Sequence, residues 1–388
     1  MRGPRAVFIL SDGIRGHANQ SRGLGLWLSR LAGSLVHELE IPKLRGMSRF
    51  MALKVGGRQL PRGGKDAARL WLERSGGMPL LADVGRLIQE EGLSGRDILC
   101  LSTGSAAAPF SLAIARVFGG RSATVMTPSV LGAFPFDFAI IPAHDSAMPA
   151  QNIFETLGAP NAIDMDTLAG EAERLLERFP PRSARRWGVL VGGDDANYRI
   201  SGRWLRRVIG ALAEEALSLG TDLYLTTSRR TTPEAENELL RIASEIPAFR
   251  MLLLASKDPS NPVPGMLGSC EEIFCTEDSV SMVSEAATAG FMVNLLRVER
   301  KAGARLALQK ATSWLARSGA LPKKYLWGAP RFDAMLEAFK ARGLAREAIA
   351  REGGAQGKKS AGREGFNEAR DAAAWIIDRW EKNEGGSS

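Results

Sequence analysis

The sequence has 388 residues, a length that predicts two or three domains, each large enough to bury a core of its own. Hydrophobic residues make up 45% and charged residues 24%, which is typical of a globular protein and excludes both a disordered chain and a bundle of membrane-spanning helices. The formal net charge of +8 points to an anionic partner, for which nucleic acid, an anionic membrane surface and a phosphorylated substrate are the candidates.

The amino terminus gives no sign of export. Its apolar run, AVFIL, is too short for the core of a signal peptide, and no later run reaches spanning length, so we expect a cytoplasmic protein. The three cysteines, Cys100, Cys270 and Cys275, form no CxxC pair, which predicts buried free thiols rather than disulfides or a zinc site.

Strand-like and helical patterns alternate through the first half. The predicted strands are AVFIL, LVHELEI, DILCLST, SATVM and FDFAII, and the predicted helices span 20–31, 80–92 and 106–118. Strands separated by crossovers of helical length indicate a parallel sheet that is covered on both faces.

A polar, glycine-bearing turn follows the first strand, at the position where doubly wound folds place ligands. His17 can take a proton from an attacking hydroxyl there, and Asp12 can orient it or act as the base instead. The candidate substrate-binding residues of this turn are Gly13, Gly16, Asn19 and Gln20. The alternative is structural: Asn19 or Ser21 caps the helix and His17 only hydrogen-bonds the turn.

The segment 43–74 concentrates basic and apolar side chains. Its basic residues are Lys43, Arg45, Arg49, Lys54, Arg58, Arg62, Lys65, Arg69 and Arg74, and its apolar residues are Phe50, Met51, Leu53, Leu60, Leu70, Trp71 and Leu72. This mixture favours an anionic membrane surface over a nucleic-acid groove, since apolar groups can enter the headgroup boundary. A solvated helix face above ordinary core residues is the alternative.

The pattern pauses at the proline-led segment 180–186 and then restarts. The later predicted strands are WGVLVGG, DLYLTTS, FRMLLLA, IFC and FMVNLL, and the helices span 202–219, 233–246 and 281–289. We therefore predict an amino-terminal domain at 1–183 and a second domain at 184–350. The remainder, 351–388, is predicted to be a flexible stretch followed by a helix that docks back on the first domain.

Two loops of the second half have the composition of phosphate sites. Two glycines before Asp194 and Asp195 let backbone N–H groups approach a phosphate, which makes Gly193 a candidate ligand. A plain tight turn fits equally well, and the two aspartates can pair with Arg199 or Arg230 or hold a divalent ion. In TTSRR, Ser228 and Arg229 supply a hydroxyl and a guanidinium fork at a strand end. Solvated arginines beside a capped helix are the alternative.

The strongest constellation spans 276–290, TEDSVSMVSEAATAG. Asp278 and Ser279 are expected N-caps after a strand, so backbone donors and the positive helix end face the sheet edge, where Thr276 also lies. Ser281 and Glu285 share one helix face, and the Glu285 carboxylate can accept hydrogen bonds from two ribose hydroxyls. A purely structural helix explains the serines and alanines but not the glutamate.

Four blocks, SDGIRGHANQSRGL, VGGDDANYR, TTSRRT and TEDSVSMVSEAATAG, make the chain resemble the elongated-mitochondria, or mitochondrial fission, family. Its bacterial members are regarded as glycosyltransferases of the GT-B type. The resemblance implies two Rossmann-like doubly wound domains facing a central cleft. It places His17 in an acceptor-side loop, Glu285 at the donor ribose, and Ser279 and Ser281 near the donor phosphates.

Together with the residues above, the resemblance implies a glycosyltransferase that moves a sugar from a nucleotide-sugar to a lipid-linked or lipopolysaccharide-core acceptor at the cytoplasmic membrane face. The nucleotide-sugar is a co-substrate, and no obligatory metal or other cofactor is expected. A non-catalytic membrane-recruiting adaptor on the same scaffold and a nucleotide-sugar epimerase are the alternatives. Nucleic acid is not expected as a partner, because no aromatic platform accompanies the basic residues.

Overall fold

The computed structural model describes residues 3–145, 149–301, 329–348 and 365–382. The chain divides into two compact units, of which the first comprises Met1–Ala162 with Asn367–Ser388 and the second Ile163–Phe366. Each unit contains a six-stranded sheet whose neighbouring strands are all parallel. The α/β class with two Rossmann-like domains is therefore confirmed.

The sheet of the first domain is formed by β1 (Ala6–Ser11), β2 (Leu35–Glu40), β3 (Ile98–Thr103), β4 (Arg121–Val125), β5 (Phe138–Pro142) and β6 (Ile153–Thr156). Its order is β2-β1-β3-β4-β5-β6. β1, β3 and β5 are buried along their whole length, which explains their unbroken apolar runs. The order reverses between β1 and β3, so the switch point lies at the carboxyl ends of these two strands.

The α-helices described in this unit are α1 (Arg15–Ala32), α2 (Gly46–Gln59), α3 (Lys65–Arg74), α4 (Met78–Glu90), α5 (Ala108–Phe118) and, from the carboxyl-terminal part of the chain, α12 (Glu368–Lys382). Leu28 of α1 and Ile377 of α12 are buried in one core cluster with the β1 side chain Ile9. A second cluster joins Trp71 of α3 to Phe110 of α5 and further side chains of β1 and β3. The sheet is thus packed on both faces.

The sheet of the second domain is formed by β7 (Arg185–Val191), β9 (Thr221–Thr227), β10 (Phe249–Leu253), β11 (Glu272–Thr276), β12 (Val293–Leu296) and β14 (Ala345–Glu347). Its order is β10-β9-β7-β11-β12-β14. The order in which the chain adds strands reverses between β7 and β11, so the switch point lies at the carboxyl ends of these two strands. The short strands β8 (Tyr198–Arg199) and β13 (Glu299–Arg300) pair with each other in antiparallel orientation.

Among the described residues of this domain, the helices are α6 (Leu168–Arg178), α7 (Gly202–Ser218), α8 (Pro233–Glu245), α9 (Val263–Ser269), α10 (Val280–Thr288) and α11 (Ala329–Ala341). Its main core cluster contains Trp187, Trp204 and Phe274, with leucines from α7, α8 and β9. The indole N–H of Trp204 is satisfied by the main-chain oxygen of Arg297 at 2.7 Å. β14, β8 and β13 have no counterpart among the predicted strands.

The two units do not divide where the sequence places the domain boundary. Residues 163–183 cluster with the second unit, whereas the sequence assigns them to the first domain. α6 packs so closely on α9 that a Cβ atom added to Gly265 would lie 2.7 Å from the Cβ atom of Leu175. At the other end of the chain, α12 packs against α1 in the first unit. Residues 351–364, the greater part of the stretch expected to be flexible, lie outside the described residues.

No helix in the described ranges is both long and apolar enough to cross a membrane. Cys100, Cys270 and Cys275 are buried and free, as the sequence predicts. Burial raises the pKa of the Cys275 thiol well above its usual value, which makes it a poor nucleophile.

Candidate functional site

The switch point of the second sheet is held together by hydrogen bonds from the glycine pair after β7. The Gly192 N–H donates to Thr276 Oγ1 at 2.7 Å, and the Gly193 N–H donates to Asp278 Oδ2 at 2.9 Å. Each bond joins the carboxyl end of β7 to that of β11. The glycine pair and the first residues of the segment 276–290, both singled out from the sequence, therefore lie side by side.

Close approach explains why glycines stand here. A Cβ atom on Gly192 would overlap the Asp278 carboxylate, and one on Gly193 would overlap the carbonyl group of Arg230. Because the Gly193 N–H donates to Asp278, it is not directed at a phosphate in this conformation. What Gly193 provides here is the room for two backbone segments to approach each other. A cradle for Asp278 was not among the roles that the sequence suggested for these glycines.

Asp278 is a buried carboxylate at the centre of this site. Its side chain is 0% exposed and receives Nη2 of Arg230 at 3.0 Å, while its Oδ1 atom has no hydrogen-bond partner in the described part of the chain. Burial raises the pKa of Asp278, and hydrogen bonds from Thr276 and Gly193 and the charge of Arg230 only partly oppose this. The expectation that its side chain caps a helix is wrong, because that side chain is turned toward the glycine pair.

Helix α10 begins at Val280 with Ser279 at the N-cap position, but the Ser279 side chain makes no capping hydrogen bond. The helix also has no acidic residue in its first turn. Its first N–H groups and its positive end are therefore not neutralised by a cap, which favours an anion at this position. Ser281 and Glu285 follow on one face of α10, and both are partly exposed.

The loop after β9 is a hydrogen-bonded turn. Ser228 accepts the Arg230 N–H at 3.2 Å on its Oγ atom, and its own N–H donates to Thr231 Oγ1 at 3.0 Å. This geometry turns the Arg230 guanidinium toward Asp278 and leaves Arg229 exposed. The arginine that contacts the glycine loop is thus Arg230, whereas the sequence favoured Arg229 as the ligand. The signal for Arg230 in the sequence was the suggestion that it could pair with Asp194 or Asp195.

Asp194 and Asp195 organise the loop that follows β7. Asp195 Oδ1 accepts the Asn197 and Tyr198 N–H groups at 2.6 and 2.8 Å, and Asp194 lies 3.3 Å from Lys301 Nζ. No group of three or more potential metal-ligating side chains occurs among the residues that the structure describes.

Glu277 forms a second buried carboxylate, which sequence reasoning missed. It lies 2.6 Å from Nη1 of Arg297 and accepts the Val298 N–H at 2.9 Å. Burial raises its pKa, and the bonds from Arg297 and Val298 partly oppose the shift. Glu277 thereby fixes the carboxyl end of β11 to that of β12. Nothing in the sequence Thr276-Glu277-Asp278 distinguished this role from that of the neighbouring Asp278.

The switch point of the first sheet carries a histidine–aspartate pair. His17 Nδ1 lies 2.9 Å from Asp12 Oδ2, and the second carboxylate oxygen accepts the Ile14 N–H at 3.1 Å. The Asp12 side chain is 6% exposed and that of His17 is 25% exposed, so the pair is partly shielded but accessible. The ring of His17 rests on Gly104, just beyond β3, where an added Cβ atom would lie 2.6 Å from Cε1.

The electrostatics of this pair define its tautomer. Burial alone would raise the pKa of Asp12, but the hydrogen bond and charge of His17 and the backbone N–H of Ile14 outweigh it, so the pKa is lowered. An ionised Asp12 can only accept a hydrogen bond, so Nδ1 of His17 must donate. The lone pair of the neutral imidazole is then on Nε2, which can accept a proton from a substrate hydroxyl.

The other residues of this turn have distinct surroundings. α1 begins at Arg15, so Asn19 and Gln20 lie inside the helix and the suggestion that Asn19 or Ser21 caps it is wrong. Asn19 Oδ1 accepts the Ala162 N–H at 3.4 Å. The Gln20 amide lies 3.9 Å from the sulfur of Met126, a residue with a φ of 69°, and its buried oxygen lacks a hydrogen bond within the described residues.

The two glycines of the turn, Gly13 and Gly16, are both exposed, and a Cβ atom on either would meet nothing within 4 Å. Gly13 has a φ of 75°, which glycine adopts without strain. Open space beside the His17–Asp12 pair is compatible with a bound substrate at these positions.

A cavity of about 300 Å³ opens directly beside Asp12. It is lined by Ser11, Asp12, Ile14, Glu40, Ile41, Pro42, Lys43, Leu44, Arg45, Leu53, Trp71, Ala106, Pro109 and Phe110. Its position at the carboxyl edge of the sheet and its mostly apolar wall with a few polar groups are typical of ligand sites in doubly wound folds.

The family model described as mitochondrial fission ELM1 matches residues 15–380, which include His17 and the second switch point but not Asp12. The chain belongs to this family. No curated protein matches the sequence.

Several solved structures are similar to the ELM1-family chain at low identity. A co-structure of Staphylococcus aureus MnaA with UDP is 11% identical, with a TM-score of 0.48 over 99% of this chain and 97% of that one. UDP-GlcNAc 2-epimerase from Neisseria meningitidis bound to UDP-GlcNAc is 11% identical, with a TM-score of 0.49 over 97% and 99%. Escherichia coli ADP-heptose lipopolysaccharide heptosyltransferase II is 11% identical, with a TM-score of 0.45 over both whole chains. At identities this low a shared substrate does not follow.

Proposed function

We propose that the protein is a glycosyltransferase that moves a sugar from a nucleotide-sugar to a hydroxyl of a lipid-linked or lipopolysaccharide-core acceptor at the cytoplasmic membrane face. The observation that carries the proposal is the His17–Asp12 pair at the first switch point, with a cavity beside it. A general base next to an open site is what activation of an acceptor hydroxyl requires.

In this mechanism Asp12 holds His17 with Nδ1 protonated, and Nε2 takes the proton of the attacking hydroxyl. The imidazolium that forms is stabilised by the Asp12 carboxylate at 2.9 Å. The hydroxyl oxygen attacks the anomeric carbon while the bond to the nucleoside diphosphate breaks.

The donor binds at the carboxyl edge of the second sheet. The uncapped start of α10 receives the diphosphate, with Ser279, Ser281 and Thr276 nearby, and the arginine-bearing loop at Ser228 faces the same switch point. Glu285 accepts hydrogen bonds from the ribose hydroxyls. The helix end and Arg230 offset the charge that develops on the leaving group, so that no metal is obligatory.

The basic segment 43–74 supports contact with an anionic membrane. Met47 is 73% exposed, Met51 51% and Leu70 44%, and they stand among exposed basic side chains such as Lys54 and Arg69. The side chains of Arg49, Phe50 and Arg58, which the sequence included in this surface, lie outside the described residues.

A second candidate is a non-catalytic adaptor, which the family description of mitochondrial fission favours. An adaptor needs a membrane surface and a protein partner but neither a general base nor a nucleotide. Nucleotide binding therefore separates the two functions.

The test begins with a thermal-shift screen against UDP, ADP, GDP and CDP, followed by calorimetry with the best ligand. Replacing Glu285 with alanine removes a charged acceptor from the ribose, so we expect binding to weaken by about 10- to 100-fold. The matched control is Glu234→Ala on the exposed first turn of α8, which should bind as the unmodified protein does.

Unchanged affinity in Glu285→Ala would refute the donor assignment, and failure of every nucleotide to bind would favour the adaptor. Incubation with a nucleotide-sugar alone distinguishes an epimerase, since that activity needs no acceptor.

A further inference from the structure

Two neighbouring cavities of the first domain form one groove. The cavity of about 300 Å³ beside Asp12 and a second of about 390 Å³ share the lining residues Leu44 and Trp71. The second cavity is lined in addition by Met47, Ser48, Met51, Arg74 and Ser75. The acceptor groove, as we call the two cavities together, therefore extends from the Asp12 carboxylate to the surface of α2.

The inner wall of the acceptor groove is apolar and fixed by the core. Ile41, Leu53 and Pro109 line it, and the Trp71 ring meets Phe110 edge to face at a centroid distance of 4.9 Å. Trp71 is only 2% exposed and belongs to the core cluster of the domain. Packed side chains of this kind hold their rotamers, so the wall is preformed for an apolar ligand.

The outer end of the groove opens to solvent between apolar side chains. Met47 and Met51 are one helical turn apart on α2 and so share a face. Both are more than half exposed, although burial would stabilise them. Flexible thioethers suit an aliphatic ligand, whose shape they can follow. The apolar path thus continues to the surface instead of closing within the domain.

Cationic side chains stand along this apolar path. Lys43 and Arg45 line the inner cavity and Arg74 the outer one. Lys43 lies 4.0 Å from Glu40, but both side chains are more than two-thirds exposed, so this pair is weak. Over the described residues, neither Arg45 nor Arg74 has a side-chain hydrogen bond or ion pair. Their guanidinium groups can therefore receive an anionic ligand.

We propose that the acceptor groove binds an amphiphile in which a phosphate ester joins an aliphatic chain to a head group that carries the acceptor hydroxyl. Lys43 and Arg45 hold the phosphate near Asp12, and the chain passes Leu44 and Trp71 to leave between Met47 and Met51. This inference rests on the proposed function, in which His17 and Asp12 activate a hydroxyl, and it narrows the acceptor class to lipid phosphates.

The experiment measures binding of n-alkyl phosphates, from butyl to dodecyl and below their micelle concentrations, to the full chain by calorimetry without nucleotide. Each methylene group buried should lower the Kd about fourfold until the groove is filled. Inorganic phosphate is the chainless reference. Monomeric ligands are used because a membrane surface would bind the exposed basic residues regardless of the groove.

Two substitutions separate the chain from the headgroup. Met51→Glu places a charge on the apolar path, so it should abolish the gain from longer chains and leave butyl phosphate unaffected. Arg45→Glu should weaken every member by about tenfold or more, since it replaces a charged donor with a repelling group. Both side chains are exposed, so neither substitution alters the packing of the core.

The matched controls are Leu240→Glu on α8 and Arg96→Glu before β3, two exposed positions outside the groove. Both should bind the series as the unmodified protein does. An affinity independent of chain length, an unchanged gain in Met51→Glu, or binding only to anionic phosphatidylglycerol vesicles would overturn the proposal. The alkyl-phosphate titration and the nucleotide titration are separate, so the two proposals can fail independently. A protein that binds alkyl phosphates but no nucleotide would refute the transferase and keep the groove. A protein that binds a nucleotide but no alkyl phosphate would refute the groove alone.

Discussion

At the scale of the residue, the contact between Gly104 and His17 sets the position of the imidazole that we propose as the general base. Gly104 has a φ of 81°, a conformation that side chains with a Cβ atom rarely adopt, and the imidazole of His17 occupies the space above it. The glycine therefore allows the chain to turn after β3 and lets the ring sit within hydrogen-bond distance of Asp12.

Gly104→Ala should displace the imidazole, because the new methyl group would lie 2.6 Å from Cε1. We expect transfer to fall about 100-fold, since a general base that moves by about 1 Å loses its alignment. The His17 ring resonances in an NMR spectrum should shift with it. In a His17→Ala background the same substitution should cost almost nothing further.

The control for backbone strain is Gly119→Ala at the end of α5, where φ is 72° and an added Cβ atom would meet nothing within 4 Å. It should lower stability and leave transfer unchanged. Equal losses of activity in both variants would show that strain, rather than the His17 contact, governs the rate.

The buried charge of Asp278, at the switch point of the second sheet, affects the stability of the folded protein. Its folded-state pKa is raised above the ordinary value of 3.8, so the folded protein binds this proton more tightly than the unfolded chain does. Stability is consequently lost as the pH rises from 3.8 through the raised value. Asp278→Asn keeps the shape and an acceptor for Gly193 and removes the buried charge.

We expect Asp278→Asn to unfold at a temperature at least as high as the unmodified protein at pH 7, with an advantage of up to about 1 kcal/mol. The advantage should shrink as the pH falls toward 4. The control of opposite sign is Asp258→Asn: hydrogen bonds from Ser260 and Arg178 lower the pKa of Asp258 to about 2, so its contribution is present above pH 3.8. Thermal melts from pH 4 to 8 measure both, and an advantage of Asp278→Asn that grows on acidification would contradict the sign.

At the scale of the element, burial decides what the sequence could predict. β1, β3 and β7 are buried parallel strands, and their apolar runs were recognised at once. β14 has only the residues Ala345–Glu347, and it is a strand because it pairs with Val293–Leu295 of β12. The sequence of β14 contains no strand pattern that could predict it, because its hydrogen bonds are made with β12, which is distant in sequence.

Helix starts show the same division. α8 begins after Thr232, whose side chain accepts the Ala235 N–H at 3.2 Å, and the sequence placed its start correctly at Pro233. α1 begins at Arg15 without a side-chain cap, five residues before its predicted start. Its first turn depends on Asp12, which holds the Ile14 N–H and His17 instead of capping. Capping rules cannot locate the start of a helix that has no capping side chain.

The sequence predicted which segments form the candidate site, but not which side chains contact each other within it. The sequence selected Gly193, Asp278 and the loop after β9, and the structure brings all three to one switch point. Which arginine would reach the carboxylate depends on the turn that Ser228 and Thr231 close, a hydrogen-bond pattern that side-chain chemistry alone does not specify. The direction of the Asp278 side chain depended on the glycine pair in the same way.

At the scale of the whole molecule, the first domain is completed by the end of the chain. Trp380 of α12 is 1% exposed, stacks on Phe138 at 6.0 Å, and lies 4.2 Å beneath the Arg121 guanidinium. The Glu368 carboxylate accepts the Leu157 N–H at 2.8 Å. A core that includes residues from both ends of its sequence cannot form until the intervening second domain has been synthesised.

Each domain has its own core, so two unfolding transitions are expected in calorimetry. Trp380→Ala should destabilise the first domain by about 3–5 kcal/mol, which lowers its transition by about 10 °C. Trp204→Ala, which removes an equally buried indole from the second domain, should lower the other transition instead. A bound nucleoside diphosphate identifies the second-domain transition, because only that transition should rise with ligand concentration. If Trp380→Ala lowered both transitions together, the two domains would unfold as one cooperative unit, and α12 would stabilise the whole protein rather than the first domain.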